Sequence, residues 1–97
     1  MPVKKEIAIY IGTFDETKGE YGTYTWKKDD TFSSVKAGYS AFKKLCQKCS
    51  TYTYEDLMEI YDSPRLDIEL RFGSKMLKWF GIYEKEMDAD ELDKSLE

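Results

Sequence analysis

The alternation of side chains over residues 65–72 restricts the fold of this chain more than any other feature. The apolar positions are Leu66, Ile68, Leu70 and Phe72, and the charged positions between them are Asp67, Glu69 and Arg71. A period of two is typical of a strand with one buried and one exposed face. Gly73-Ser74 follows at once, and a two-residue turn with glycine first favours a tight hairpin.

The strand predicted to return from this turn covers residues 75–86. Its predicted partners are Leu77 opposite Leu70, Trp79 opposite Ile68, and Lys78 opposite Glu69. Several pairs then match in chemical type, which a wrong register would not normally produce. The alternative is a helix capped by Ser74, with apolar side chains at Met76, Trp79, Phe80, Tyr83 and Met87. Because Gly81 would weaken that helix by ~1 kcal/mol, the strand is favoured.

A first hairpin is predicted ahead of this one. Residues 5–14 alternate as a strand does, and the polar stretch 15–19 ends in glycine, as a hairpin loop should. Residues 20–28 form the second strand, with Gly22, Tyr24 and Trp26 on one face and Tyr21, Thr23 and Thr25 on the other. We expect Asp29-Asp30-Thr31 to end this strand.

A long helix is predicted after the first hairpin. It begins at a cap on Ser33 or Ser34 and runs to about Cys49. Its apolar positions follow helical spacing and are Val35, Gly38, Tyr39, Phe42, Leu45, Cys46 and Cys49. These residues form one stripe that faces the core.

Two shorter helices complete the prediction. The first begins at Thr53, where Asp56 completes a capping-box variant, and Ser63-Pro64 ends it. The second covers residues 89–96. The element order is therefore ββ-αα-ββ-α, which predicts an α+β fold with a four-stranded antiparallel sheet from two β-hairpins and helices packed on one face.

Chain length and apolar runs indicate the broad class of protein. Ninety-seven residues suffice for a single domain, residues 1–97. No apolar run is long enough to span a membrane. Lys4 and Lys5 precede an apolar stretch that is too short for a signal peptide, so we expect a cytoplasmic protein without membrane contact.

The absence of histidine excludes more chemistry than any other feature of the composition. Histidine is the commonest general base, nucleophile activator and metal ligand. We therefore predict no catalytic residue and no cofactor, and we expect a protein that is not an enzyme.

Cys46 and Cys49 form a CxxC motif, the one motif in the sequence that is associated with metal binding or redox chemistry. A single CxxC is half of a structural zinc site, so a metal would require two copies of the chain. The pair lies at the end of the predicted helix, where the helix dipole opposes a reactive thiolate. Both positions also belong to the apolar stripe. We interpret them as reduced structural thiols, with a metal or redox site in a homodimer as the third-ranked function.

Four lysines on the long helix suggest a nucleic-acid-binding alternative. They are Lys36, Lys43, Lys44 and Lys48, and no acid lies between residues 31 and 53. Such a face could contact phosphates without reading sequence. The net charge of −4 weakens this interpretation, because nucleic-acid modules usually carry a basic balance.

The aromatic side chains support the leading hypothesis. The chain has eight tyrosines, five phenylalanines and two tryptophans. We expect a sheet face that the helices leave open, carrying Tyr10, Tyr21, Arg71, Lys78, Phe80 and Tyr83. Exposed aromatic rings beside arginine are typical of protein-binding hot spots. The sequence thus favours a small inhibitor, adaptor or regulatory protein with a protein partner, while base stacking and homodimerisation through the same face are the alternatives.

Overall fold

The computed structural model describes residues 5–82 of the chain. Its elements are β1 (Ile7–Asp15), β2 (Thr23–Phe32), α1 (Val35–Cys49), α2 (Tyr54–Tyr61), β3 (Leu66–Phe72) and β4 (Lys75–Ile82). The four strands form one antiparallel sheet. The predicted α+β class and the sheet built from two hairpins are confirmed. The predicted helix over 89–96 lies outside the described residues.

The two hairpins join through their apolar strands. The strand order is β2-β1-β3-β4, so β1 and β3 are neighbours at the centre and β2 and β4 form the edges. The register between the central strands places Ile9 opposite Leu70 and Gly12 opposite Asp67. Pairing the most apolar strand of each hairpin gives the sheet one continuous apolar face.

β2 differs from its prediction at both ends. It begins at Thr23 rather than at residue 20, and it continues through the acidic stretch to Phe32. The expected break at Asp29-Asp30-Thr31 is wrong, because the register shifts there and leaves Asp29 as an extra residue between paired neighbours. An edge strand tolerates such a bulge and charged side chains, and both features discourage pairing with other chains.

The strand predicted for residues 75–86 is observed as β4 over Lys75–Ile82, and residues 83–86 lie outside the described residues, but the predicted partners are not the observed ones. A bulge at Leu77 shifts the partners that follow it. The observed partners are Leu70 with Lys78, Glu69 with Trp79, and Ile68 with Phe80. A shift of one residue moves each later side chain to the opposite face.

The helix boundaries follow from local hydrogen bonds. The Ser34 side chain caps α1 by accepting a hydrogen bond from the backbone N–H of Ala37 at 3.1 Å. Thr53 and Asp56 form the predicted capping box at the start of α2. Asp62 ends α2 in the left-handed conformation, with φ of 52°, just ahead of Ser63-Pro64. Within residues 5–82, neither helix has the length and apolar character that crossing a membrane would require.

The core combines the apolar face of the sheet with buried side chains of α1 and α2. We call this face the inner face; its members are Ile7, Ile9, Ile11, Leu66, Ile68, Leu70, Lys78, Phe80 and Ile82. The helices contribute Phe42, Cys49 and Leu57 to the buried cluster. Gly38 allows α1 to approach closely, because a Cβ there would lie 3.1 Å from the side chains of Ile7 and Leu70.

Candidate interaction surface

The opposite face of the sheet carries most of the unusual chemistry of the chain. We call it the outer face; its members are Ala8, Tyr10, Gly12, Phe14, Tyr24, Trp26, Lys28, Asp67, Glu69, Arg71, Met76, Trp79 and Gly81. The strand register arranges them in rows. One row is Trp26, Gly12, Asp67 and Gly81, and the next is Lys28, Tyr10, Glu69 and Trp79. Each row crosses all four strands.

Both tryptophans of the chain pack closely against strand glycines of this face. A Cβ added to Gly12 would lie 2.7 Å from the ring of Trp26, and one added to Gly81 would lie 2.5 Å from the ring of Trp79. No larger residue leaves room for an indole so close to the backbone. Trp26 also stacks on Tyr24, with ring centroids 6.1 Å apart. The glycines therefore seat two flat aromatic surfaces on the sheet.

Asp67 lies between these indoles. Its Oδ2 accepts a hydrogen bond from the Nε1–H of Trp79 at 3.1 Å, and the residue is only 9% exposed. Oδ1 is also buried and accepts no well-formed hydrogen bond from the described residues. Burial raises the pKa of Asp67 and the charge of Glu69 adds to this, while the Trp79 hydrogen bond, the charge of Arg65 and the hydroxyl of Tyr24 lower it. A carboxylate with a spare acceptor thus lies at the centre of the face.

Arg71 organises the neighbouring part of the face. Its guanidinium forms an ion pair with Glu69 at 2.6 Å and lies 4.1 Å from the ring centroid of Tyr10. The ring of Trp26 is 5.2 Å away on the same face. One arginine is therefore held both by a carboxylate and by aromatic rings, which fixes its position.

The structure places two of the six residues predicted for the aromatic face on the outer face. Tyr10 and Arg71 lie on the outer face. Lys78 and Phe80 lie on the inner face, and their predicted placement is wrong because the bulge at Leu77 reverses the faces of the residues after it. Tyr21 belongs to the β1–β2 loop and is 86% exposed. Tyr83 lies outside the described residues.

The sequence did not predict that four residues belong to this face: Tyr24, Trp26, Asp67 and Trp79. The sequence placed Tyr24 and Trp26 on the opposite face of β2 from Tyr21, and it treated Asp67 as a solvated charge. The glycines at positions 12 and 81, each inside a strand, were the feature of the sequence that could have indicated this packing. A glycine inside a strand often marks a close approach by another group.

The basic helix presents its lysines in two separate settings. Lys36, Lys43, Lys44 and Lys48 are all exposed. Lys44 and Lys48 line a groove with Asp29 and Asp30, so acids lie beside this half of the lysine set. Lys43 lines a different groove of about 490 Å³ between α1 and β4, together with Lys78. Anion binding by these residues stays a prediction.

The two thiols are protected by their surroundings. Burial raises the pKa of Cys46 to about 11. Cys49 is fully buried, and burial raises its pKa as well, while the hydroxyl of Tyr61 and the charge of Lys48 act in the other direction. Across residues 5–82, no three cysteine or carboxylate side chains cluster in a way that could hold a metal ion. Thiols held in the neutral form react slowly, which favours a structural role.

Comparisons with known proteins add no functional information. No protein-family model matches the chain, and neither the curated proteins nor the solved structures include a similar one. The geometry of the outer face is therefore the basis for inferring function.

Proposed function

We propose that this chain is a non-enzymatic interaction module, such as a small inhibitor, adaptor or regulatory protein, and that it binds a protein partner through the outer face. The main observation behind the proposal is that two indoles, Trp26 and Trp79, pack against strand glycines on one sheet face, with Arg71 against Trp26. Tryptophan, tyrosine and arginine are the side chains that contribute most to protein-binding energy.

The arrangement of the rings is suited to binding because it exists before a partner arrives. The contact with Gly12, the stacking on Tyr24 and the Arg71–Glu69 ion pair hold Trp26 and Arg71 in place. A partner then orders few additional side chains, which lowers the entropic cost of association. Trp79 is 45% exposed and offers part of its ring to such a contact.

The charges of the face favour protein over nucleic acid. Asp67 and Glu69 lie among the aromatic rings, where they would repel a phosphate backbone. The net charge of −4 acts in the same direction. Nucleic-acid binding through the α1 lysines is the second candidate. Its support is the exposure of all four side chains on one helix without an acid.

We place the protein in the cytoplasm as part of the same proposal. Cys46 and Cys49 are free cysteines, and a reducing compartment preserves thiols.

Site-specific photo-crosslinking in the native cells tests the binding face. A photoreactive amino acid replaces Met76, which is 52% exposed on the outer face, or Ile60, which is 54% exposed on α2. We expect one protein to be captured from position 76, not from position 60, and capture to be lost with Trp79→Ala. Equal capture from both positions, or capture that ignores Trp79→Ala, would contradict the proposal.

Two further results of the experiment point to the alternatives. Crosslinks between identical chains from position 76 would assign the face to a homodimer. A single-stranded oligonucleotide that binds the wild-type protein and loses affinity with Lys43→Glu and Lys44→Glu combined would favour the nucleic-acid candidate.

A further inference from the structure

We infer that the outer face recognises a cationic side chain, lysine or arginine, of its protein partner, and that Asp67 receives this cation between Trp26 and Trp79. The inference rests on the proposed function and adds the chemistry of the partner. Three features of the face support it: the lack of an ion pair on Asp67 among the described residues, a buried oxygen of Asp67 without a well-formed hydrogen bond, and a similar arrangement already present around Arg71.

The other charged side chains of the outer face already form ion pairs. Glu69 is paired with Arg71, and Glu6 is paired with Lys28. Among residues 5–82, no lysine or arginine forms an ion pair with Asp67. The nearby Arg65 instead lies over the ring of Phe14, at 5.1 Å from its centroid. A basic group from a partner would complete the balance, and the negative charge of the whole chain would attract it.

The hydrogen bonding of Asp67 is also incomplete. Trp79 occupies Oδ2, while Oδ1 is buried without a well-formed hydrogen bond from the described residues. A buried carboxylate oxygen without a donor is unfavourable, so a partner N–H would relieve that cost on binding. Trp79 stands on the edge strand β4 and is partly exposed. Its indole can therefore turn aside from Gly81 and open a path to Oδ1 without disturbing the core.

The same face already holds one cation in the proposed manner. The Arg71 guanidinium bonds to Glu69 while lying against the rings of Tyr10 and Trp26. Asp67 and the two indoles repeat this combination of a carboxylate and aromatic faces one row along the sheet. Rings attract cations through their electron-rich faces, and a desolvated site strengthens the attraction.

Titration with short peptides tests the recognition of a cation. The probes are acetyl-Gly-Arg-Gly-amide, its lysine analogue, and its citrulline analogue, which keeps the shape of arginine without the charge. The readout is the NMR signals of the two indole N–H groups in the full chain. We expect saturable shifts of the Trp79 signal with the arginine and lysine peptides, and affinity weaker by about tenfold or more with citrulline. Equal binding of the citrulline peptide would overturn the inference.

Two variants separate a specific site from general attraction to an acidic protein. Asp67→Asn should weaken binding of the arginine peptide by about tenfold or more, while Glu59→Gln should change it by less than about twofold. Glu59 is an exposed acid on α2, so the two variants remove the same charge. Gly81→Ala displaces the Trp79 ring and should also weaken binding. Equal effects of Asp67→Asn and Glu59→Gln would overturn the inference.

Selection from a peptide-display library distinguishes failure of this inference from failure of the proposed function. The full chain is the bait, and the Trp79→Ala variant removes peptides that bind elsewhere. Enriched peptides that require a lysine or arginine support the inference. Enriched peptides without a basic residue overturn it but leave the interaction face intact. A selection without any peptide that depends on Trp79 counts against both.

Discussion

The two faces of the sheet are built on different principles. On the inner face, Ile9, Ile68 and Leu70 are almost completely buried and contribute shape and apolar area to a core shared with α1 and α2. On the outer face, aromatic rings, glycines and charges contact one another. Apolar burial is non-directional, whereas ion pairs and ring contacts depend on geometry. The inner face is thus suited to holding the fold together and the outer face to recognition.

This difference also explains where the polar burial of the chain lies. Asp67 is the second residue of β3, between Leu66 and Ile68, and it is almost as buried as they are. Its neighbours on the inner face gain free energy from that burial, while its own carboxylate loses solvation. The outer face therefore carries a cost in stability that the inner face offsets.

The largest expected effect belongs to the inner face. Ile68→Ala removes a fully buried side chain at the centre of the core, so we expect the free energy of unfolding to fall by about 3 kcal/mol. Met76→Ala is the control on the outer face, where an exposed side chain should cost less than about 0.5 kcal/mol. Urea denaturation measures both. Similar losses for the two variants would remove the energetic distinction between the faces.

The sequence predicted the inner face well because its signal is local. Alternation over residues 65–72 identifies β3, and the capping residues identify α1 and α2. Each signal depends on residues within a few positions of one another. A bulge makes the assignment of side chains to sheet faces from alternation fail, since one extra residue at Leu77 reverses the faces of Lys78 and Phe80. Neither glycine nor proline marks that bulge in the sequence.

The outer face was harder to predict because it depends on strand order. Trp26 reaches Gly12 across the β1–β2 pairing, and Asp67 enters the same row only because β3 pairs with β1. That pairing joins two hairpins separated by both helices. Tyr10 and Arg71 were predicted from alternation within their own strands. The burial of Asp67 requires contacts from β4 and β2, so periodicity alone indicates a solvated acid.

The two glycines of the outer face offer a second, smaller test of the comparison. Gly12→Ala places a methyl group against Trp26, which is confined by Tyr24 and Arg71, so we expect a loss of about 1–3 kcal/mol in urea denaturation. Gly81→Ala meets the partly exposed Trp79 on an edge strand. That ring can move, so the loss should stay within about 0.5 kcal/mol.

The order of these two glycine effects is the informative result. A larger loss from Gly81→Ala than from Gly12→Ala would mean that Trp79, rather than Trp26, is the fixed element of the face. The fluorescence of the two variants provides a control, because each should change the environment of a single indole while the other remains as in the wild-type protein.

The smallest expected effect concerns Asp67. Replacing this outer-face residue should stabilise the protein as the pH rises, whereas replacing an inner-face residue such as Ile68 destabilises it. Burial raises the pKa of this carboxyl above its ordinary value of 3.8, so the folded chain holds the proton more strongly than the unfolded chain. The contribution of Asp67 to stability is then complete below pH 3.8 and is lost as the pH rises through the folded pKa.

Asp67→Asn lacks this loss while keeping an acceptor for Trp79. The variant should therefore gain stability relative to the wild-type protein as the pH is raised from about 4 to about 7 in urea denaturation. A relative gain that shrinks over this range would mean that the native state stabilises the ionised carboxylate, which would contradict an uncompensated acid at the centre of the outer face.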